Sequence, residues 1–281
     1  MKPLVSVIVR TYNEEKMVGD CLNSIFNQKT NFPFEVIVVD SGSIDDTLSI
    51  VKNFNVKIIN ILKKEFSYGR ALNLGCENAE GKYCVFISAH AIPYDDKWLQ
   101  NLIWSFKNQK VAGVFGKQIP HKDCNPLTRR HELDHWNHEI NIRSTDYFFS
   151  NTNSAIRKSI WKKNEFDEDL AIAEDHDWAK RIFKSGFKFV YEPNAVVFHS
   201  HNENFKEFFQ RNYKEVESSI DIYSKNIIFR YFADVLYNFY KDFIYVIKNG
   251  YEIRWIFRSG VNSFLLLIAT IFAFVNFLFR Y

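Results

Sequence analysis

No Cys-x-x-Cys pair, internal repeat, low-complexity linker or long block of one charge occurs in this 281-residue chain. Its four cysteines, Cys21, Cys76, Cys84 and Cys124, are too few and too scattered for a zinc ribbon or a disulfide scaffold, which points to a reducing cytosol. Net charge is also scarce. The sequence sets 36 Lys and Arg against 33 Asp and Glu, and a surplus of only +3 excludes a dedicated nucleic-acid binder. The opening MKPLVSVIVRTYNEE has one lysine, a short apolar run and no small-residue cleavage site, so it reads as a first strand and not as a signal peptide. What abounds is apolar and aromatic character, 47% and 17% of residues, with 28 Phe and 14 Tyr. These values exclude a disordered polymer, and the aromatic density after residue 223 marks a sticky C-terminal surface.

Short runs of Val and Ile alternate with amphipathic stretches, the pattern of strands joined by crossover helices. Strands are predicted at Leu4–Arg10, Phe34–Asp40, Val56–Leu62 and Tyr83–Ser88, nearly continuous apolar runs that suit a sheet covered on both faces. A helix is predicted over Glu14–Asn27, where Met17, Val18, Cys21, Leu22 and Ile25 recur at helical spacing. The expectation is an α/β domain over residues 1–222 with an open, mostly parallel sheet flanked by helices. Between Ile119 and Ser144 the text turns polar and His-rich, giving a loop and then a helix from about Leu127. Further strands are expected within Tyr147–Ile156 and Phe187–Phe198, either side of an acidic helix, EDHDWAKRI.

Residues 223–281 form a separate helical segment for membrane association. Over Tyr223–Ile247, Phe229, Phe232, Leu236, Phe239 and Phe243 fall at steps of three or four. Val261–Phe279 is an apolar run whose length, at roughly 1.5 Å per residue, just reaches a hydrocarbon core of about 30 Å. Asn262, Ser263, Thr270 and Asn276 weaken a spanning helix, and a helix lying in the interface with Arg254, Trp255 and Arg258 at the headgroups competes with it. A buried hairpin or dimer interface is the less favoured alternative.

Ligands of open α/β sheets collect outside the carboxyl ends of the strands. There the sequence places Arg10, Thr11, Tyr12, Asn13 and Glu14 after the first strand, Asp40, Ser41, Gly42 and Ser43 after the second, and Ser88, Ala89 and His90 after the fourth. An aromatic ring beside hydroxyls and a carboxylate suits a nucleobase. Asp40 and Ser43 serve equally well as helix N-caps.

Four segments, VSVIVRTYNEE, VIVVDSGSIDDT, FISAHAIP and AEDHDWAKRI, in this order and spacing, resemble glycosyltransferase family 2, the inverting enzymes of the GT-A fold, over about residues 4–210. Within it the chain looks most like bacterial transferases that add rhamnose or similar sugars to surface polysaccharides. The resemblance implies that Thr11, Tyr12 and Asp40 hold the base, that Asn13, Glu14, Ser41 and Ser88 share the substrate crevice, and that Arg70 of SYGRALNLG lies near the diphosphate. It makes Asp175 the catalytic base, with Glu174 orienting base or acceptor. A sugar hydroxyl is a weak nucleophile at neutral pH, so a carboxylate must take its proton as it attacks the anomeric carbon, and a cation or Arg70 must offset the departing diphosphate. Asp177 reads as support, and Trp178 as a core aromatic in preference to an acceptor platform.

Where the family carries Asp-x-Asp for a divalent metal, this chain has Ser88-Ala89-His90. Two readings follow: a site for a divalent cation, Mn²⁺ by preference, held by His90 and His199, or a metal-free enzyme in which Arg and His side chains carry the phosphate charge. The implied partners are a nucleotide-sugar donor, a glycan or lipid-linked glycan acceptor and a membrane surface, at the cytoplasmic face of the inner (plasma) membrane. Two other classes remain. One is a non-catalytic sugar-nucleotide-binding protein that lost its Asp-x-Asp. The other, remote, is a zinc metallopeptidase through His131-Glu132-Leu133-Asp134-His135, extended by His138, although the longer metzincin pattern fails at His138 and Asn141.

Overall fold

The computed structural model describes residues 2–137 and 148–280. In chain order the elements are β1 (Val5–Thr11), α1 (Val18–Phe26), β2 (Phe34–Asp40), α2 (Thr47–Val51), β3 (Lys57–Asn60), α3 (Tyr68–Asn78), β4 (Tyr83–Ser88), β5 (Ile92–Pro93) and α4 (Trp98–Trp104). Then follow β6 (Val111–Ile119), α5 (Pro126–Asn137), β7 (Asn153–Arg157), α6 (Lys158–Trp161), α7 (Glu174–Lys184), β8 (Lys188–Phe198), α8 (Phe205–Tyr223), α9 (Ile227–Lys248) and α10 (Arg254–Arg280). The expected strands at Phe34–Asp40 and Tyr83–Ser88 are found at those bounds. The strand expected within Tyr147–Ile156 is β7; Tyr147 itself lies outside the described residues.

The strands form one sheet in the order β3-β2-β1-β4-β7-β6-β8-β5. Neighbours from β3 to β4 are parallel, as continuous apolar strands joined by crossover helices require. The sheet is mixed, however, because β7 runs against both β4 and β6, and β5 against β8. The register pairs Thr11 with Asp40, Arg10 with Ser88, Ile87 with Asn153 and Ile119 with Phe198. The carboxyl ends of β1, β2, β4, β6 and β8 and the beginning of β7 therefore share one rim.

Two strands were not anticipated. β5 has only two residues, and β6 carries Gly113 and Gly116, which weaken a strand signal. Gly116 is required by close approach: a Cβ there would press into the Ala195 carbonyl oxygen and the Asn153 amide. Helix α1 starts at Val18 instead of Glu14. The backbone N–H groups of Glu14 and Glu15 donate to the side chains of Thr47 and Asp45, and residues 14–17 close as a turn.

The core lies on the two faces of the sheet. Val5, Val7 and Val9 pack with Val18, Leu22 and Ile25 of α1 and with Leu99 and Leu102 of α4. Trp178 is fully buried among Phe149, Phe166 and Phe189, and its indole N–H donates to the Asn164 carbonyl, in line with the core reading of this residue. All four cysteines are free and buried.

Packing divides the described residues into two compact units: 2–119, 148–170 and 174–199 make the sheet unit, and 120–137, 171–173 and 200–280 make a helical unit. The boundary expected near residue 222 is thereby displaced. Helix α8, opened by an Asn204–Glu207 capping box, packs through Val216 and Ile220 against Ile228 of α9 and Ala273 of α10, so it belongs with the tail. Within the helical unit, Arg130 of α5 donates from Nε to Asp242 of α9 at 2.8 Å, and the Ser259 hydroxyl of α10 donates to the other Asp242 oxygen. Removing one partner of such a buried pair costs about 3–5 kcal/mol. Charged and polar side chains of α5, α8, α9 and α10 line a cavity of 270 Å³.

Candidate active site

The loops after β1 and β2 are fastened to each other. Asn13 has φ 54° and accepts from the Ile44 N–H at its Oδ1, while its own N–H donates to the Ser43 hydroxyl, both at 2.9 Å. Asn tolerates this left-handed backbone because its short amide bonds locally. Asp40 is 1% exposed; its carboxylate accepts from the N–H groups of Gly42 and Ser43 at 2.9 Å and from the Ser43 hydroxyl at 2.5 Å. The helix-capping role expected of Asp40 and Ser43 is not found: α2 begins at Thr47 with Asp46 at its N-cap position, and Asp40 instead closes the loop after β2. Ser41 donates its N–H to the Thr11 carbonyl, and Thr11 Oγ1 is buried without a hydrogen-bond partner among the described residues. Tyr12 stands half-open beside it, its hydroxyl accepting from Lys63 Nζ at 2.9 Å. Lys63 was not singled out from the sequence, since a lysine in a surface turn carries no signal of its own.

A second group gathers around Arg10. Its guanidinium lies 3.5 Å from the Ser88 hydroxyl, 3.7 Å from the Glu174 carboxylate and over the Tyr68 ring. Arg70, in the first turn of α3, instead pairs with Glu168 at 3.3 Å, with both side chains part-exposed. Arg10 is therefore the buried cation tying the ends of β1 and β4 to α7. Glu174 and Asp175 open α7, where the positive end of the helix dipole favours carboxylates. For Glu174 burial outweighs that help: desolvation, and then the neighbouring Asp175 charge, raise its carboxyl from 4.5 to about 7.

Asn151 joins the pair. Its N–H donates to Asp175 Oδ2 at 3.0 Å, its amide approaches Glu174 at 3.4 Å, and its Oδ1 accepts from the Ser154 hydroxyl. It was missed in the sequence because it precedes β7, and only a reversed strand brings its beginning to this rim. Asp177 is engaged by Arg181 at 2.8 Å, a supporting i,i+4 pair.

The third group is Glu14, His90 and His199. Glu14 Oε1 lies 2.6 Å from His90 Nδ1, and His90 Nε2 lies 3.2 Å from His199 Nε2. An ionised carboxylate can only accept, so in the neutral ring Nδ1 holds the proton and Nε2 presents its lone pair. Two nitrogens each about 2.0–2.1 Å from one tetrahedral ion stand about 3.3 Å apart, and a carboxylate on the far ring nitrogen is the usual support of a metal-bound imidazole. The pair fits a first-row divalent cation. His90 and His199, expected as a pair from the sequence, lie side by side, and Glu14, expected in the substrate crevice, lies against His90.

His131 and His135 do sit on one helix, α5, with ring centroids 6.3 Å apart. They belong to no converging set of three possible ligands among the described residues, and His138 lies outside those residues. Glu132, which a zinc peptidase would use as base, accepts from the Trp136 indole.

Comparison with known proteins gives the family and the fold. The model of the family described as glycosyl transferase family 2 matches residues 6–169, more than half of the chain. The O-antigen chain rhamnosyltransferase RfbN of Salmonella typhimurium is 32% identical over 219 residues, covering 74% of this chain and 69% of the relative. A Methanococcus voltae relative, dolichyl N-acetyl-alpha-D-glucosaminyl phosphate 3-beta-D-2,3-diacetamido-2,3-dideoxy-beta-D-glucuronosyltransferase, is 30% identical over 231 residues, covering 74% of this chain and 70% of its own. Among solved structures, the mannosyltransferase PcManGT from Pyrobaculum calidifontis in complex with GDP-Man and Mn²⁺ superposes with TM-score 0.59 at 20% identity, covering 98% of this chain and 75% of that one. That likeness shows the GT-A-type fold. The peptidase and the non-catalytic alternatives are set aside: the chain belongs to glycosyltransferase family 2 and is a glycosyltransferase.

Proposed function

We propose that the protein transfers a hexose or deoxyhexose, such as rhamnose, from a nucleoside-diphosphate sugar to a lipid-linked precursor of a surface polysaccharide, with inversion at the anomeric carbon. The observation that carries this reading is the carboxylate of Asp175, fixed by the Asn151 N–H on the rim that also holds the β1 and β2 loops. Asp175 accepts the proton of the acceptor hydroxyl as it attacks, and the sugar–phosphate bond breaks on the opposite face. Glu174, behind it and raised toward neutral pH, is only partly ionised there and orients the base through Asn151. Thr11, Tyr12 and the loop capped by Asp40 and carrying Ser41 hold the base. Asn13 keeps that loop in place. Arg10 and Ser88, with Arg70 further out, face the diphosphate.

A divalent cation, when bound by His90 and His199, supplies positive charge against the departing diphosphate. The Mn²⁺ bound in the PcManGT complex supports Mn²⁺ as that cation. The relatives' O-antigen and dolichyl-linked substrates support a lipid-linked acceptor, the apolar α10, long enough to cross a membrane, supports work at a bilayer, and the four free cysteines accord with its cytoplasmic face. The test is Asp175→Asn. Transfer should fall by about 10²–10⁴-fold while nucleotide binding, measured by calorimetry, is kept. Undiminished turnover in this variant would remove Asp175 from the role of base.

A further inference from the structure

We infer that α9 and α10 bind an anionic bilayer as a hairpin lying in the plane of one leaflet, and that α10 does not cross it. This rests on the membrane association proposed above and concerns its geometry. Three observations carry it.

First, α10 is committed along its whole length to the helical unit. Ser259, Leu266, Ala269, Thr270 and Ala273 are buried at helical spacing. Ser259 bonds Asp242 near one end of the helix, and Asn276 bonds the Tyr213 hydroxyl near the other. The helix it lies along, α8, exposes Lys206, Glu207, Lys214 and Asp221, spread over its turns. A spanning α10 would either draw these charges into hydrocarbon or give up its packing. Second, what α10 leaves open is a single apolar face: Phe257, Phe264, Phe272 and Phe279, each 56% exposed or more, recur at steps of seven or eight. Leu236 and Ile247 of α9 are likewise exposed.

Third, the chain's surplus of positive charge resides in this segment. Residues 223–281 hold seven Lys and Arg against three Asp and Glu, whereas the remainder holds 29 against 30. One of the three acids, Asp242, is buried against Arg130. The other two acids pair with Arg230 and Arg254, and the net positive charge of this segment together with its apolar face matches anionic headgroups over acyl chains. A second copy of the chain would bring like charges together.

The experiment uses the full chain with single cysteines replacing Phe257, Phe264, Phe272 and Phe279, each spin-labelled and bound to vesicles of mixed phosphatidylcholine and phosphatidylglycerol. Collision with oxygen against a water-soluble nickel complex reads depth. The expected result is four similar, shallow depths, no reaction of Phe279→Cys with an impermeant thiol reagent trapped inside the vesicles, and weaker binding when phosphatidylglycerol is omitted. A profile deepest at 264 and 272, or labelling from the lumen, would overturn the in-plane geometry while leaving membrane association intact. Failure to bind any vesicle, with nucleotide binding retained as proof of folding, would overturn both.

Discussion

Replacing Glu174 by Gln isolates the cost of burying a second carboxylate beside Asp175. The wild-type carboxyl is raised from 4.5 to about 7, first by burial and then by the Asp175 charge. The folded state therefore binds more protons than the unfolded state between those values, and stability declines as pH rises through that window. Below pH 4.5 the group is neutral in both states and nothing is lost. Above pH 7 the loss is complete, and at about 1.4 kcal/mol for each tenfold in proton affinity it amounts to roughly 3 kcal/mol. The amide keeps the shape of the protonated acid and cannot ionise, so Glu174→Gln should gain on the wild type by up to about 3 kcal/mol between pH 4.5 and 8. The gain is trimmed by the weakened contact with Arg10, 3.7 Å away. For a domain of this size that corresponds to roughly 5–10 °C in Tm. Urea unfolding followed by tryptophan emission, with Trp178 packed in the same unit, measures it at both pH values. A stability difference between variant and wild type that is the same at pH 4.5 and pH 8 would refute the assignment of a buried, proton-retaining Glu174.

Two further substitutions probe the metal pair and the sheet. Glu14→Gln should weaken Mn²⁺ binding about 10–100-fold, read from the free-ion electron paramagnetic resonance signal, because His90 loses the carboxylate that fixes its tautomer; unchanged affinity would separate Glu14 from the cation. Gly116→Ala should cost about 1–3 kcal/mol in urea unfolding, since its Cβ meets the Ala195 backbone and only a shift of β8 against β6 can relieve it.

The parallel half of the sheet was legible because its strands are buried on both faces and written as unbroken runs such as VSVIV and EVIVV. β6 escaped notice for the opposite reason: the two glycines that let it approach Phe189 and Ala195 dilute the pattern they serve. The rim residues were readable wherever they follow a strand. Asn151 precedes one, and Glu168, the partner of Arg70, comes from a loop whose place depends on α3, so neither had a local signature. Helix α8 was assigned to the wrong unit for a related reason. Its charged face looks like the outside of an enzyme, and the Val216–Ile220 contact that ties it to α9 and α10 is a tertiary fact.

The four buried thiols bear on how this protein can be handled. Cys21 and Cys76 are fully buried and desolvation holds their thiols well above the ordinary range, so thiolate, the reactive form, is suppressed. Cys84 is equally enclosed, and Cys124 is 8% exposed with its thiol also raised. To an external alkylating reagent the folded native chain behaves as if it had no cysteine, and any thiol introduced on its surface becomes the one address at which a probe will settle.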